Sequence, residues 1–434
     1  MSSLFLQVLS VTALAGGGGE DVSDWPQYLG PSRTGKVPLS GVDFAWPEEG
    51  PEIVWRTETG RGYGGASIRD GEVYLLDREV GVEDILRVFD LESGEELWTA
   101  RYEAVGRLDF PGSRTVPTVT EKYVYTCGGQ GRVTCFDRET HEEVWSIHLD
   151  TMYGGVLPGY GWSCSPLIID DLLVVSALGS EVGLLALDRF TGDEVWITEP
   201  VGTTHSTPVY LDLLGEPQIL FVSAPQRPGS SLNAAGALTI TSYDPFDGFI
   251  LWETETTGSS YPIPGPVQVD ADHFFVTGGY RGGSSLHRIA KEGDAYSFEE
   301  VFRIERGSQV HNPIVHEGHL YFLANENWND PRNLRSEGGL TCLGLDGEER
   351  WRTGDSPYFG RGNTILAGEH LLVQDGHNGI LRVVKATPES YQLVAEANLF
   401  DIDDRRDHQM WAAMGLAGRY LLIRSHEELL CVRL

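Results

Sequence analysis

Cations are scarce in this chain: 32 Lys and Arg stand against 64 Asp and Glu, a net charge of −32. A surface so acidic repels phosphate backbones and anionic lipid headgroups, which argues against nucleic-acid and membrane-surface partners. Cysteine is sparse. None of the five is adjacent to another or spaced C-x-x-C, so no zinc knuckle is indicated. Beyond the first residues no apolar run approaches the ~18 residues that span a bilayer, and no segment sustains a helical period. The glycine runs Gly62-Tyr63-Gly64-Gly65 and Gly278-Gly279 lack the Lys-Ser/Thr ending and the following helix of a phosphate loop. The acidic stretch DIDDRRDHQMW (401–411) lacks EF-hand spacing and its Gly, and reads as a solvated loop. No Ser-His-Asp order or carboxylate pair can be singled out, so no catalytic and no metal-ligating residue is assigned.

What is present suits short strands joined by tight turns: 53 Gly, 22 Pro, 10% aromatics and 41% hydrophobic residues. Four segments share one pattern: VFDLESGEELW (88–98), CFDRETHEEVW (135–145), ALDRFTGDEVW (186–196) and SYDPFDGFILW (242–252). In each, Asp stands eight residues before Trp. A fifth copy, CLGLDGEERW, ends at Trp351. Gly usually stands four before Trp, at Gly94, Gly192, Gly248 and Gly347, with His141 in the second copy. The pattern predicts strand, turn, strand: Asp bonds its own turn backbone and Gly supplies a positive φ.

Trp55 opens the series, while Phe302 and Ala395 take the Trp place in weaker copies. Eight outer strands result, 43 to 56 residues apart, the period of a four-stranded propeller blade. The last copy, LLCVRL (429–434), has no outer strand after it, and Trp55 has no inner strands before it. Pairing them closes the ring and removes free edges. The expected fold is therefore all-β: an eight-bladed β-propeller of four-stranded antiparallel blades, closed by its N- and C-terminal strands. The propeller is expected to span 51–434, after a signal peptide at 1–15 and a Pro/Gly-rich extension at 16–50. The signal reading rests on an apolar run, Leu4 to Val11, and on Ala13-Leu14-Ala15, although the leader carries no Lys or Arg.

The D-x-x-[ST]-G-x-x-x-W repeat resembles the tryptophan-docking motif of the pyrroloquinoline-quinone-like (PQQ-like) propeller superfamily over residues 51–434. The segment Trp25-Pro26-Gln27-Tyr28-Leu29-Gly30-Pro31 is similar to the opening of an exported bacterial subfamily. The resemblance implies export to the periplasm or cell envelope. It also implies structural docking roles for Trp55, Trp98, Trp145, Trp196, Trp252 and Trp351. Relatives include quinoprotein dehydrogenases, the scaffold lipoprotein of outer-membrane β-barrel assembly, and many exported proteins with no assigned role. The dehydrogenases carry a vicinal disulfide and a Glu, Asn and Asp around calcium; this chain has no adjacent Cys pair and lacks their long insertions. A binding or scaffold module, without cofactor and monomeric, is therefore the leading reading. A PQQ- and calcium-dependent oxidoreductase is the alternative.

Cys135, Cys342 and Cys431 share a repeat column with Val88, Ala186 and Ser242, which predicts buried packing thiols. Counting from the turn puts Cys127 beside Arg132. The residues just before each inner strand should open on the channel at one face: Tyr63, Arg114, Trp162, His205, Tyr261, His311, Arg361 and Trp411. They read either as a mouth for a protein partner or a small planar anion, or as large side chains that plug the funnel. With ordinary imidazoles, His205 and His311 would gain charge near pH ~6.5 and tighten anion binding in acid.

Overall fold

The computed structural model describes residues 24–225, 235–324, 338–400 and 409–434. The leader expected at 1–15 and most of the acidic stretch 401–411 lie outside them. Eight sheets form the ring. Blade 1 runs outward from Ala66–Arg69 through Glu72–Glu79 and Gly81–Asp90 to Glu96–Gly106. Blades 2 to 7 repeat this order over 118–148, 167–197, 209–259, 267–304, 314–352 and 363–398. Blade 8 takes three strands from 415–433 and its outer strand, Glu52–Glu58, from the beginning of the chain. There Trp55 lies opposite Cys431 and Ile53 opposite Val432. The ring closes as the repeat predicts, and blade 8 has no free strand edge at that seam. Among the described residues the one α-helix is Leu149–Tyr153, and no helix is long and apolar enough to cross a membrane.

The repeat register recurs in every blade. The docking position faces the small-residue column: Trp98 opposite Val88, Trp145 opposite Cys135, Trp196 opposite Ala186, Trp252 opposite Ser242. Phe302 faces Leu286, Trp351 faces Cys342 and Ala395 faces Val383, so the weak copies keep register too. A β-bulge follows the pair each time and bends the outer strand. The turn Asp behaves as the repeat implies: Asp90 Oδ1 accepts from the N–H groups of Glu92 and Ser93, and Asp188 Oδ1 from those of Phe190 and Thr191.

The docking rings show why Gly recurs in the turn. Three rings lie against the turn of the next blade and donate their indole N–H to that turn's backbone: Trp55 to Leu91 O at 2.8 Å, Trp145 to Arg189 O at 3.1 Å, Trp196 to Pro245 O at 3.2 Å; Trp252 donates instead to Gln218 Oε1 of its own blade. A Cβ on Gly94, Gly192 or Gly248 would stand 2.5–2.7 Å from the ring of Trp55, Trp145 or Trp196. The same three glycines have φ of 72–77°. They therefore serve both the left-handed turn and the close approach of the ring. His141 replaces Gly at φ 62° and stacks its own ring on Trp98, 4.5 Å away at 7°. Trp55, Trp98, Trp145, Trp196 and Trp252 are buried, whereas Trp351 is only half-buried.

All five cysteines are free and buried. Cys127 lies opposite Val133 rather than beside Arg132, one step away from the expected register. Burial pushes the thiols of Cys135, Cys164 and Cys431 up to about 12, which keeps them protonated.

The N-terminal extension does more than precede the ring. Trp25 exchanges two backbone hydrogen bonds with Ile68 of blade 1, and Pro26 O accepts from Val119 N of blade 2. Farther on, Lys36–Val37 adds a parallel strand to the inner edge of blade 7, and Lys36 Nζ donates to Val315 O of blade 6 at 3.0 Å. Blades 2 and 6 face each other across an eight-membered ring, so the segment crosses the channel. Its partners sit late in their inner strands. It therefore crosses at the end opposite the residues that precede those strands. Trp25 anchors the crossing: it is buried, and Gly30 turns beneath its ring at φ 77°.

Candidate functional site: a blind pocket at one mouth of the channel

The open end of the channel leads into a cavity of about 330 Å³. Its walls follow from strand geometry. Residues two apart on an inner strand point the same way. The chain places bulky side chains in the mouth tier and smaller ones two residues deeper: Gly65, Val116, Ser165, Thr207, Ile263 and Ala413. A hollow remains beneath the mouth. Tyr28, from the crossing extension, also lines this cavity, and its hydroxyl lies 3.5 Å from Asn312 Oδ1. Burial pushes the Tyr28 phenol up to about 12, so it stays neutral.

Six of the eight residues expected at the mouth line the cavity: Tyr63, Arg114, His205, His311, Arg361 and Trp411. Trp162 does not. It is buried between blades against Gly131 and donates to Ala177 O, and Ser163 takes the channel-facing place one residue later. The reason is parity: the loop before blade 3 enters its strand shifted by one residue, which turns the Trp into the core. Tyr261 does not line it; its half-buried ring stacks on His205 with centroids 5.6 Å apart at 15° and meets Tyr160 at 5.7 Å. The reading of the inner strands missed Phe110, Tyr160 and Tyr280, which come from connecting loops. Phe110 and Tyr280 adopt φ of 59° and 54°, a left-handed backbone unusual for aromatic residues and common where side chains are held for function. Proximity to Pro111 and to Gly278-Gly279 was the available signal. The aromatic groups form an arc: Tyr63–Trp411 5.3 Å, Phe110–Trp411 5.7 Å, Phe110–Tyr160 5.5 Å, Tyr160–His205 5.4 Å.

The charges at this mouth differ from those elsewhere in the ring. Buried Arg78 pairs with Asp84 at 2.5 Å, Arg424 with Asp77 at 3.0 Å, and Arg382 with Asp375 and Glu396. Charges held inside proteins normally have such partners. Arg114 and Arg361 are half-buried and pair with no carboxylate among the described residues. They are not equivalent. Arg114 spends its terminal nitrogens on the carbonyls of Asp109, Phe110 and Gly112 in its own loop and lies over the ring of Tyr63. Arg361 is held by Gln309, whose Oε1 accepts from Nε at 2.9 Å, and by the face of Trp411, 4.8 Å from Cζ. Both of its terminal nitrogens remain open among the described residues. A fork fixed at its stem and free at its tips suits a bidentate carboxylate. Burial pulls Arg114 down to about 10 and lowers Arg361, yet both stay charged at neutral pH.

The histidines correct the acid-switch expectation. Burial, aided by the Arg114 charge, pulls His205 down to about 4. Burial likewise pulls His311 down to about 4, against the hydrogen bond from its Nε2–H to Trp411 O at 2.9 Å. Both are neutral near pH 6.5 and add no charge to the pocket there.

No carboxylate lines the cavity among the described residues. Calcium takes six to eight oxygen ligands and favours carboxylates, and two arginines repel a cation. A quinone-and-calcium centre does not fit these residues.

The fold and its site define a closed eight-bladed propeller with a pocket at one mouth and a plug at the other. The chain is an eight-bladed propeller whose repeat resembles the PQQ-like type. The family model described as outer membrane protein assembly factor BamB matches residues 82–221. Among solved structures, a europium-containing methanol dehydrogenase is similar at TM-score 0.66 and 12% identity, covering 92% of this chain and 89% of that one. BamB from Moraxella catarrhalis is similar at TM-score 0.56 and 15% identity, covering 88% and 97%. A quinohemoprotein alcohol dehydrogenase from Comamonas testosteroni is similar at TM-score 0.63 and 13% identity, covering 95% and 80%. No curated protein matches at a significant level. At these identities the likeness describes the fold.

Proposed function

We propose that the chain is an exported binding propeller that holds a small planar anion in the mouth pocket. The observation that carries this reading is Arg361: a guanidinium braced by Gln309 and Trp411, open at its tips, without a carboxylate partner among the described residues, in an aromatic-walled cavity. An acidic shell around a positive pocket concentrates anions at that point and repels them elsewhere. Export rests on the leader-like residues 1–15 and on the likeness to an outer-membrane assembly factor. A small ligand fits better than a protein segment because the cavity is blind. Titration calorimetry with naphthoate tests it. Arg361→Gln removes charged hydrogen bonds worth about 1.5–3 kcal/mol, which is a loss of roughly 10- to 100-fold. Arg114→Gln removes charge but no open fork and weakens binding less. Equal affinity in the wild type and Arg361→Gln would contradict the assignment.

A further inference from the structure

The floor of the pocket is not part of the propeller. The six deeper residues are small enough to leave the channel hollow, and the repeat supplies nothing that would close it. Closure comes from one side chain of the crossing segment, Tyr28. The segment holds that side chain firmly. Trp25 is tied to blade 1 by two backbone bonds, Gly35 O accepts from Leu366 N, and Val37 O accepts from Gly368 N of blade 7. Gln27 Oε1 accepts from Arg33 Nη1 at 2.9 Å, bracing the turn between the two anchors. A Cβ on Gly30 would stand 2.8 Å from the Trp25 ring, and one on Gly35 would stand 2.8 Å from Ile314, so both turns are closely fitted.

We infer that Tyr28 is the specificity-determining residue of the mouth pocket. It acts as a stop that limits the ligand to a short, flat monocarboxylate of one or two fused rings. The inference rests on the anion reading above. Among the described residues that line the mouth, Arg361 has its fork open, so a single carboxylate is anchored there. Tyr63, Trp411 and Tyr160 form walls suited to a flat body. Tyr28 is the crossing segment's contribution to the lining of the cavity of about 330 Å³, and as its stop it would meet the far ring of a linear two-ring body. The floor phenol itself is neutral and its hydroxyl faces Asn312, with the charged Arg33 of the same segment beside it.

The test measures the affinities of benzoate, naphthoate and biphenyl carboxylate for the full chain and for Tyr28→Ala and Tyr28→Trp. The wild type should prefer naphthoate to biphenyl carboxylate by about tenfold or more, a difference of at least ~1.4 kcal/mol. Tyr28→Ala should remove or reverse that preference. Tyr28→Trp should weaken naphthoate while retaining benzoate. Unchanged thermal unfolding of the Trp variant keeps the test valid if the Ala variant is unstable. The same length preference in all three chains, with binding intact, would overturn the stop but leave the anion reading standing. No binding of any probe to any chain would overturn both.

Discussion

Replacing Trp196 with Ala tests the docking arrangement quantitatively. The ring is buried, lies against Gly248 of the next blade, and donates to Pro245 O. An indole side chain buries about 200 Å², worth about 5 kcal/mol at ~25 cal/mol per Å². Residual burial in the unfolded chain reduces that figure. The lost hydrogen bond to a shielded carbonyl adds about 1 kcal/mol. The expected loss is about 4 kcal/mol, within the range of large-to-small core substitutions. Trp351, half-buried although it also donates to Thr387 O at 2.8 Å, should cost about 2 kcal/mol. Urea unfolding followed by far-ultraviolet circular dichroism measures both. A cost below about 1 kcal/mol for Trp196→Ala, or a larger cost at Trp351, would refute the claim that interblade rings hold the ring together.

Three further outcomes follow from the same structure. Gly248→Ala should destabilise by roughly 1–3 kcal/mol, because the new Cβ meets Trp196 at 2.6 Å and the backbone sits at φ 73°; a neutral effect in the same unfolding assay would contradict this. His205 and His311 titrate at about 4 when folded and near 6.5 when unfolded, so the unfolded chain binds more protons between these values. Their contribution is intact above pH 6.5 and is lost as pH falls toward 4, by about 3 kcal/mol each. A His311→Gln chain whose stability falls as steeply as the wild type's over that window would show that His311 is not involved. Deleting residues 429–434 strips the outer strand Glu52–Glu58 of its partner and should cause aggregation measurable by light scattering, whereas a monomer with unchanged melting would count against ring closure.

The ring was legible in the sequence because its period is carried by a few large or special residues. Trp, Asp and Gly at fixed offsets mark the turn between the third strand and the outer strand, and even Ala395 falls where counting places it. The mouth was partly legible, since a position just before an inner strand is defined by the repeat. It failed at Trp162, where a one-residue shift in a loop exchanges channel for core, and at Tyr261, which stacks on His205 instead of lining the cavity. Phe110, Tyr160 and Tyr280 were not legible because loop residues obey no period. The extension was the largest gap. WPQYLGP reads as a Pro- and Gly-rich lead-in, and only the hydrogen bonds to blades 1, 2 and 7 show that it crosses the channel. Charge state was also hidden: His205 and His311 are ordinary imidazoles by sequence, and burial, aided at His205 by the Arg114 charge, makes them neutral near pH 6.5.

The central claim is that a planar anion enters the mouth, sets its carboxylate on Arg361 and stops at Tyr28. Diffraction from crystals grown with iodobenzoate tests it directly, because anomalous scattering locates the iodine without reference to any model of the ligand. The account predicts one iodine peak inside the cavity between Arg361 and Tyr28, flanked by Trp411 and Tyr63, and its disappearance in Arg361→Gln crystals. An iodine peak confined to the outer surface, or a cavity peak that persists unchanged in Arg361→Gln, would contradict it.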